Sequence, residues 1–99
     1  MTEKKVKQFI DKLITQTDKG HIKWLSRDGS YRAKILDKNF RLSVFKGHMK
    51  LSMLDKNDVS DYDFISPQSE LTELYVSVKR QISQVEKSIC DWIETYFKN

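Results

Sequence analysis

Hydrophobic positions along the chain fall into three regimes. Over residues 3–18, Val6, Phe9, Ile10, Leu13, Ile14 and Thr17 recur at three- and four-residue steps, the spacing that gathers side chains on one face of an α-helix. Thr2 is placed to cap this helix by accepting a hydrogen bond from a first-turn amide. Gly20 stands where the chain needs a left-handed residue to leave it. Lys4, Lys5, Lys7, Lys12 and Lys19 lie off the stripe.

Beyond the Arg27-Asp28-Gly29-Ser30 turn signal the period changes to two. Tyr31, Ala33 and Ile35 point one way, and Arg32, Lys34 and Leu36 the other. Phe40, Leu42 and Val44 then alternate with Arg41, Ser43 and Phe45, and Leu51 and Met53 with Lys50, Ser52 and Leu54. Asp37-Lys38-Asn39 and Lys46-Gly47-His48 supply the connections, with Gly47 giving the positive φ that hairpin turns favour. The pattern predicts a three-stranded antiparallel meander with one apolar side that must be covered. Trp24 reads as a lid packed against the first helix and the sheet, because large aromatics contribute most where they are buried. Residues 55–66 form a polar connection that Phe64 and Ile65 anchor, with a short fourth strand as an option.

The third regime is the longest. Leu71, Tyr75, Val78, Ile82, Val85, Ile89, Trp92 and Tyr96 follow spacings of 4, 3, 4, 3, 4, 3 and 4. Ser66 reads as the N-cap, Pro67 as the first helical residue and Glu70 as a first-turn acid, and no glycine or proline interrupts residues 68–98. A helix of about 30 residues is about 45 Å long. A compact domain of this size has a radius of gyration near 13 Å and is therefore only about 33 Å across. The helix must bend, or run past its own domain toward a partner. Its stripe has three readings: the inner face of a helix lying across the sheet beside the first helix, a dimer seam, or a membrane-surface helix. The last is disfavoured without Lys/Arg enrichment. Taking Leu71 as d and Tyr75 as a, the flanks are too neutral for a charge-zipped coil, although Leu74 and Ile93 widen the apolar face.

Together these elements predict a single α+β domain over residues 1–99, with an N-terminal helix, a three-stranded meander and a long C-terminal helix, both helices on one sheet face. The 99 residues are 38% hydrophobic and 32% charged, with net charge +4. No apolar run approaches the length of a membrane span or a signal peptide. The lone cysteine, Cys90, allows no internal disulfide and points to a reducing cytoplasm. Residues 1–50 carry 13 Lys/Arg against 5 Asp/Glu, and residues 51–99 carry 5 against 9. Such an asymmetry can steer an encounter, or it can simply keep a small domain soluble.

Candidate chemistry is sparse. A nucleophile needs a base within hydrogen-bond reach, and Cys90, His21 and His48 lie in no such signature. Cys90 reads as a small hydrophobe beside the helical stripe, and the two histidines read as solvated turn residues. Asp55, Asp58, Asp61 and Asp63 suggest a calcium loop, but Ser60 and Ser66 stand where that loop needs Gly and Glu. The three glycines are too far apart to cradle a phosphate. No cofactor or metal is expected, and catalysis is not expected either. What remains is surface. Arg32, Lys34, Arg41 and Lys50 around Phe45, Leu36 and Leu54 suit a solvated face, a partner contact, or single-stranded nucleic acid stacked on Phe45. Ile89, Trp92, Ile93, Tyr96 and Phe97 are the candidate contacts on the long helix.

Short segments of the chain, Leu13 through Trp24 (a helix ending in TDKGHIKW), YRAKI at 31–35, FRLSVF at 40–45, KLSMLD at 50–55 and LTELYVSVKR at 71–80, resemble a group of small bacterial and phage proteins. The resemblance implies a helix–three-strand–helix arrangement and an accessory or mobile-element origin, with no agreed activity and no catalytic residue to carry over. The expectation is therefore a non-enzymatic cytoplasmic interaction module. It contacts a protein partner or a second copy of itself through the long helix and the open sheet face. Binding of nucleic acid on the basic sheet face is the alternative.

Overall fold

The computed structural model describes residues 2–64 and 66–98. Helix α1 (Glu3–Asp18) is followed by strands β1 (Trp24–Arg27), β2 (Ser30–Ile35), β3 (Lys38–Phe45), β4 (His48–Leu54) and β5 (Ser60–Phe64), and then by helix α2 (Gln68–Lys98). The strands form one antiparallel sheet in the order β1-β2-β3-β4-β5. The α+β class and the order helix, sheet, helix are as the sequence predicts.

The sheet has five strands rather than three. The central three have the register that alternation implies, with Ala33 opposite Phe40, Tyr31 opposite Leu42 and Leu42 opposite Leu51. The two extra strands are the edges. In β1 Trp24 is buried and the next three residues are exposed, and in β5 only Phe64 is buried. An edge strand needs one anchored side chain and a free backbone ladder to pair with, so it shows little alternation. Each edge strand is fixed by an inward aromatic, Trp24 opposite Ala33 and Phe64 opposite Leu51. Ile65, the second expected anchor, lies outside the described residues.

Turn geometry explains a second departure. Asp28-Gly29 and Lys46-Gly47 all have positive φ, between 51° and 78°, the two-residue arrangement whose twist matches paired strands. The β2–β3 link also has a left-handed residue, but it is Leu36, at φ 56°. Leu36 therefore leaves the strand and stands 92% exposed in the turn, not on the sheet face. Leu54, expected on display, is buried outside the main core cluster, at a bulge in the β4–β5 pairing.

Both helices cover one face of the sheet. Val6, Ile10, Leu13 and Thr17 of α1 are buried. Phe9 meets Phe64 and Phe40 at ring-centroid distances of 5.1 and 5.8 Å. At the other end of α1 the Trp24 indole N–H donates to the Thr17 hydroxyl at 2.9 Å, so Trp24 is the lid that the sequence suggests. Thr2 accepts from the Lys5 amide at 3.3 Å, as a cap should. The start of α2 is displaced by one residue from expectation. The Leu71 amide bonds the Pro67 carbonyl, which puts Pro67 at the cap position, while the Ser66 hydroxyl donates to the Glu70 carboxylate at 2.7 Å.

Helix α2 runs parallel to α1: Lys7 meets Glu70 at 3.4 Å near both starts, and Ser77 donates to Asp18 at 2.7 Å near the end of α1. Leu71, Leu74 and Val78 of α2 lie in the core. Two glutamines bracket this docked stretch. Gln68 accepts from the Met49 amide at 2.8 Å and donates to the Met49 carbonyl at 2.9 Å. Gln81 accepts from the Trp24 amide at 2.8 Å and donates to the Ile22 and Thr17 carbonyls at 2.7 and 3.1 Å. Each amide satisfies backbone groups that the β4 and β1 ends would otherwise leave open.

Candidate interaction surfaces

Past Gln81 the helix leaves its own domain. Ile82 is half-buried, and every residue from 83 to 98 is exposed. Sixteen residues at 1.5 Å rise give an arm of about 24 Å. The arm explains a molecule 56 Å long and 28–29 Å across, with a radius of gyration of 15.1 Å. Of the readings of the stripe, the inner-face one holds for the first half of α2 alone.

The arm carries Val85, Ile89, Trp92, Ile93, Tyr96 and Phe97, all exposed, with Trp92 at 66% and Phe97 at 79%. At 3.6 residues per turn the first five fall within an arc of about 100°, and Phe97 lies beyond one edge. Trp92 stacks on Tyr96 at 5.6 Å, and Tyr96 meets Phe97 edge-on at 5.5 Å. The five helix residues singled out from the sequence thus lie together on one projecting surface. Cys90, expected to pack as a small hydrophobe, is exposed on the same arm. Where the arm leaves the body, a corner of about 420 Å3 is walled by Gly20, Lys23, Val85, Ile89 and Trp92 among others.

The outer sheet face is less open than the sequence suggests. Across it Leu25, Arg32, Arg41, Ser52 and Asp63 stand opposite one another in successive strands. Arg32 and Arg41 are therefore direct cross-strand neighbours, a like-charge pairing that costs stability unless it is offset. Carboxylates arrive from the segment read as a loop. Asp58, between β4 and β5, meets Arg32 at 3.4 Å, and Asp63 of β5 meets Lys50 at 3.0 Å. Asp63 also accepts from the Ser52 hydroxyl at 2.7 Å and from Ser60. The Ser60 and Ser52 hydrogen bonds, helped by Lys50, lower the Asp63 carboxyl to about 2.

Two of the four expected cations are thus engaged. Arg41 is half-buried, and the buried Nε of Arg32 and of Arg41 has no hydrogen-bond partner among the described residues. Lys34 is exposed, and Phe45 stands 71% exposed at the end of β3 with the Lys46 ammonium 5.4 Å from its ring. Sequence reasoning missed a groove of about 570 Å3 toward β1, lined by His21, Lys23, Arg27, Arg32, Lys34 and Asp58 with three uncharged neighbours. It depends on β1 being a strand, which brings Arg27 beside the basic row.

The aspartates divide their work. Asp55 accepts from the Asn57 and Val59 amides at 2.8 and 3.0 Å, closing the β4–β5 turn, while Asp58 and Asp63 serve separate cations. Among the described residues no group of three or more His, Cys, Asp or Glu is placed to hold a metal. His21 and His48 are exposed, and the His21 ring nitrogen lies 2.7 Å from the Gln16 side-chain oxygen. Among the described residues no helix is long and apolar enough to cross a membrane. Comparison with known protein families, curated proteins and solved structures finds no match.

Proposed function

We propose that the protein is a non-enzymatic cytoplasmic interaction module, of bacterial or phage accessory type, that binds a protein surface through the arm of α2. The observation that carries this reading is the arm itself, sixteen exposed residues bearing six large hydrophobic side chains. Aromatic side chains bury about 150–250 Å2 each, so Trp92, Tyr96 and Phe97 alone leave on the order of 400 Å2 open. That is as much as the largest apolar patch of a typical monomer, about 300–600 Å2, before the aliphatic residues are added. The backbone gives a second argument. Helices of about 12–15 residues are marginal in water even with Ala-rich sequences, and this arm is rich in β-branched and aromatic residues of lower propensity. Packing against another surface is what keeps such a segment helical.

Cys90, the sole cysteine, lies beside the stripe and accepts a maleimide photocrosslinker without touching the core. Irradiation in the cytoplasm should yield a discrete protein adduct that disappears when Trp92, Tyr96 and Phe97 are replaced by Ser. A featureless smear, or no adduct, overturns the reading.

A second reading, contact with a nucleic-acid backbone, draws on the groove of His21, Lys23, Arg27, Arg32 and Lys34. Its signature is binding that weakens steeply with salt as counterions are released. Fluorescence anisotropy with short RNA and DNA at low salt tests it, and flat titrations retire it.

A further inference from the structure

We infer that the surface covering the arm is the arm of a second copy, packed antiparallel about a two-fold axis, so that each tip ends in the corner at the base of the other. This inference rests on the arm being a protein-binding surface and names its occupant.

The first argument is geometric. The arm's stripe continues, without a change of spacing, the stripe that faces the body over Leu71, Leu74 and Val78. The exposed apolar face therefore looks to the same side as the body, and whatever covers it must fit beneath the body. A parallel partner would bring its own body to the same end and the same side, where the two collide. An antiparallel partner places its body beyond the far tip. The overlap then extends from the corner to the tip, about 24 Å, and equals the overhang on both chains.

The second argument is fit. With Val85 against Tyr96 and Ile89 against Trp92, every layer pairs a small residue with a large one, the alternation that fills a seam without voids. Parallel in-register packing instead sets Trp92 on Trp92 and Val85 on Val85. The flanks that face each other in the antiparallel pair, Ser88 with Thr95 and Glu86 with Ile93, oppose no like charges.

Area points the same way. The apolar side chains of the arm and the walls of the corner together approach the roughly 800 Å2 per partner of a standard interface.

Sedimentation of the purified full-length protein, from micromolar to several hundred micromolar, should show twice the chain mass, reverting to a monomer on dilution and in an Ile89→Glu variant. The thermal melt of that variant, followed by Trp24 burial, reports whether its body remains folded. Spin labels fix the orientation. In the antiparallel pair the two Cys90 positions share one flank at the centre, while labels at Lys98→Cys in a Cys90→Ser background are about 22 Å apart along the axis. Close labels at position 98 overturn the antiparallel arrangement. A strict monomer at the highest concentration overturns self-pairing. If the discrete crosslinked adduct still forms in cells in that case, the arm is a binding surface for a different protein.

Discussion

The two halves of α2 have the same sequence pattern and opposite fates. Over residues 71–82 the 4-3 stripe is pressed into the core, with Leu71, Leu74 and Val78 almost fully buried. Over residues 85–96 the same spacing stands in solvent. Periodicity determines which side of a helix is apolar. It does not determine what lies on that side, which depends on how far α1 and the sheet reach. Here α1 ends at Asp18, level with Ser77, and the chain that follows supplies β1 as the last layer, held by Gln81. The second half of the stripe runs past both layers into solvent.

The contrast is tested most severely by truncating one residue in each half. Leu74→Ala removes a side chain with no exposed surface, and such core deletions cost about 2–5 kcal/mol from lost transfer and the residual cavity. Urea denaturation should show that loss as a lower midpoint at unchanged slope. If Leu74→Ala were as mild as a surface change, the first half would not be the docked half.

Next in size is Gln81, which marks where docking ends. Its amide satisfies the Trp24 amide and the Thr17 and Ile22 carbonyls. Gln81→Leu keeps the apolar bulk and strands the Trp24 amide and the Ile22 carbonyl, while the Thr17 carbonyl keeps its bond from the Gly20 amide, a loss of about 1–3 kcal/mol. Hydrogen exchange at the Trp24 amide should quicken by more than at central β3, because the β1 edge detaches from α2 first.

Much of this was legible in the sequence, and the illegible parts share a cause. Both helices, three central strands and Trp24 as lid follow from side-chain pattern, since each buries a repeating face. Strands β1 and β5 leave only Trp24 and Phe64 as clear signals, because an edge is recruited by backbone hydrogen bonds that side-chain periodicity does not encode. That miss carried over to the candidate surfaces. With residues 55–66 read as a connection, nothing suggested that Asp58 and Asp63 would cross onto the basic face and engage Arg32 and Lys50. The arm residues Ile89, Trp92, Ile93, Tyr96 and Phe97 were legible because length arithmetic alone shows a helix too long for its domain.

Acid separates body from arm, since the most perturbed carboxyl belongs to the sheet. Asp63 is lowered from 3.8 to about 2, first by its hydrogen bond from Ser60 and then by that from Ser52. A group with a lower pKa when folded stabilises the fold fully above its unfolded value. That contribution fades as pH falls from about 4 to about 2, as the folded group takes up its proton. Asp63 is exposed, so the effect is modest. The thermal midpoint should drop across this window and drop less in Asp63→Asn. Equal slopes in the two proteins would mean that the Ser52–Ser60–Lys50 cluster is not holding β5.

The smallest expected effect bears most directly on the arm. Trp92→Ser removes the largest side chain of the second half, yet Trp92 is 66% exposed and lies outside the core cluster. Unfolding of the body at high dilution should therefore change by no more than about 0.5 kcal/mol, the range for surface positions free of special contacts. At high concentration the wild-type melt should rise with concentration, because association stabilises the folded state by mass action, and the variant's melt should not. Far-ultraviolet circular dichroism adds the backbone: wild-type helicity should grow with concentration as the arm finds a partner. A large loss of stability at dilution would instead mean that Trp92 closes the Gly20–Lys23 corner within its own chain, and the two halves of α2 would then differ only in degree.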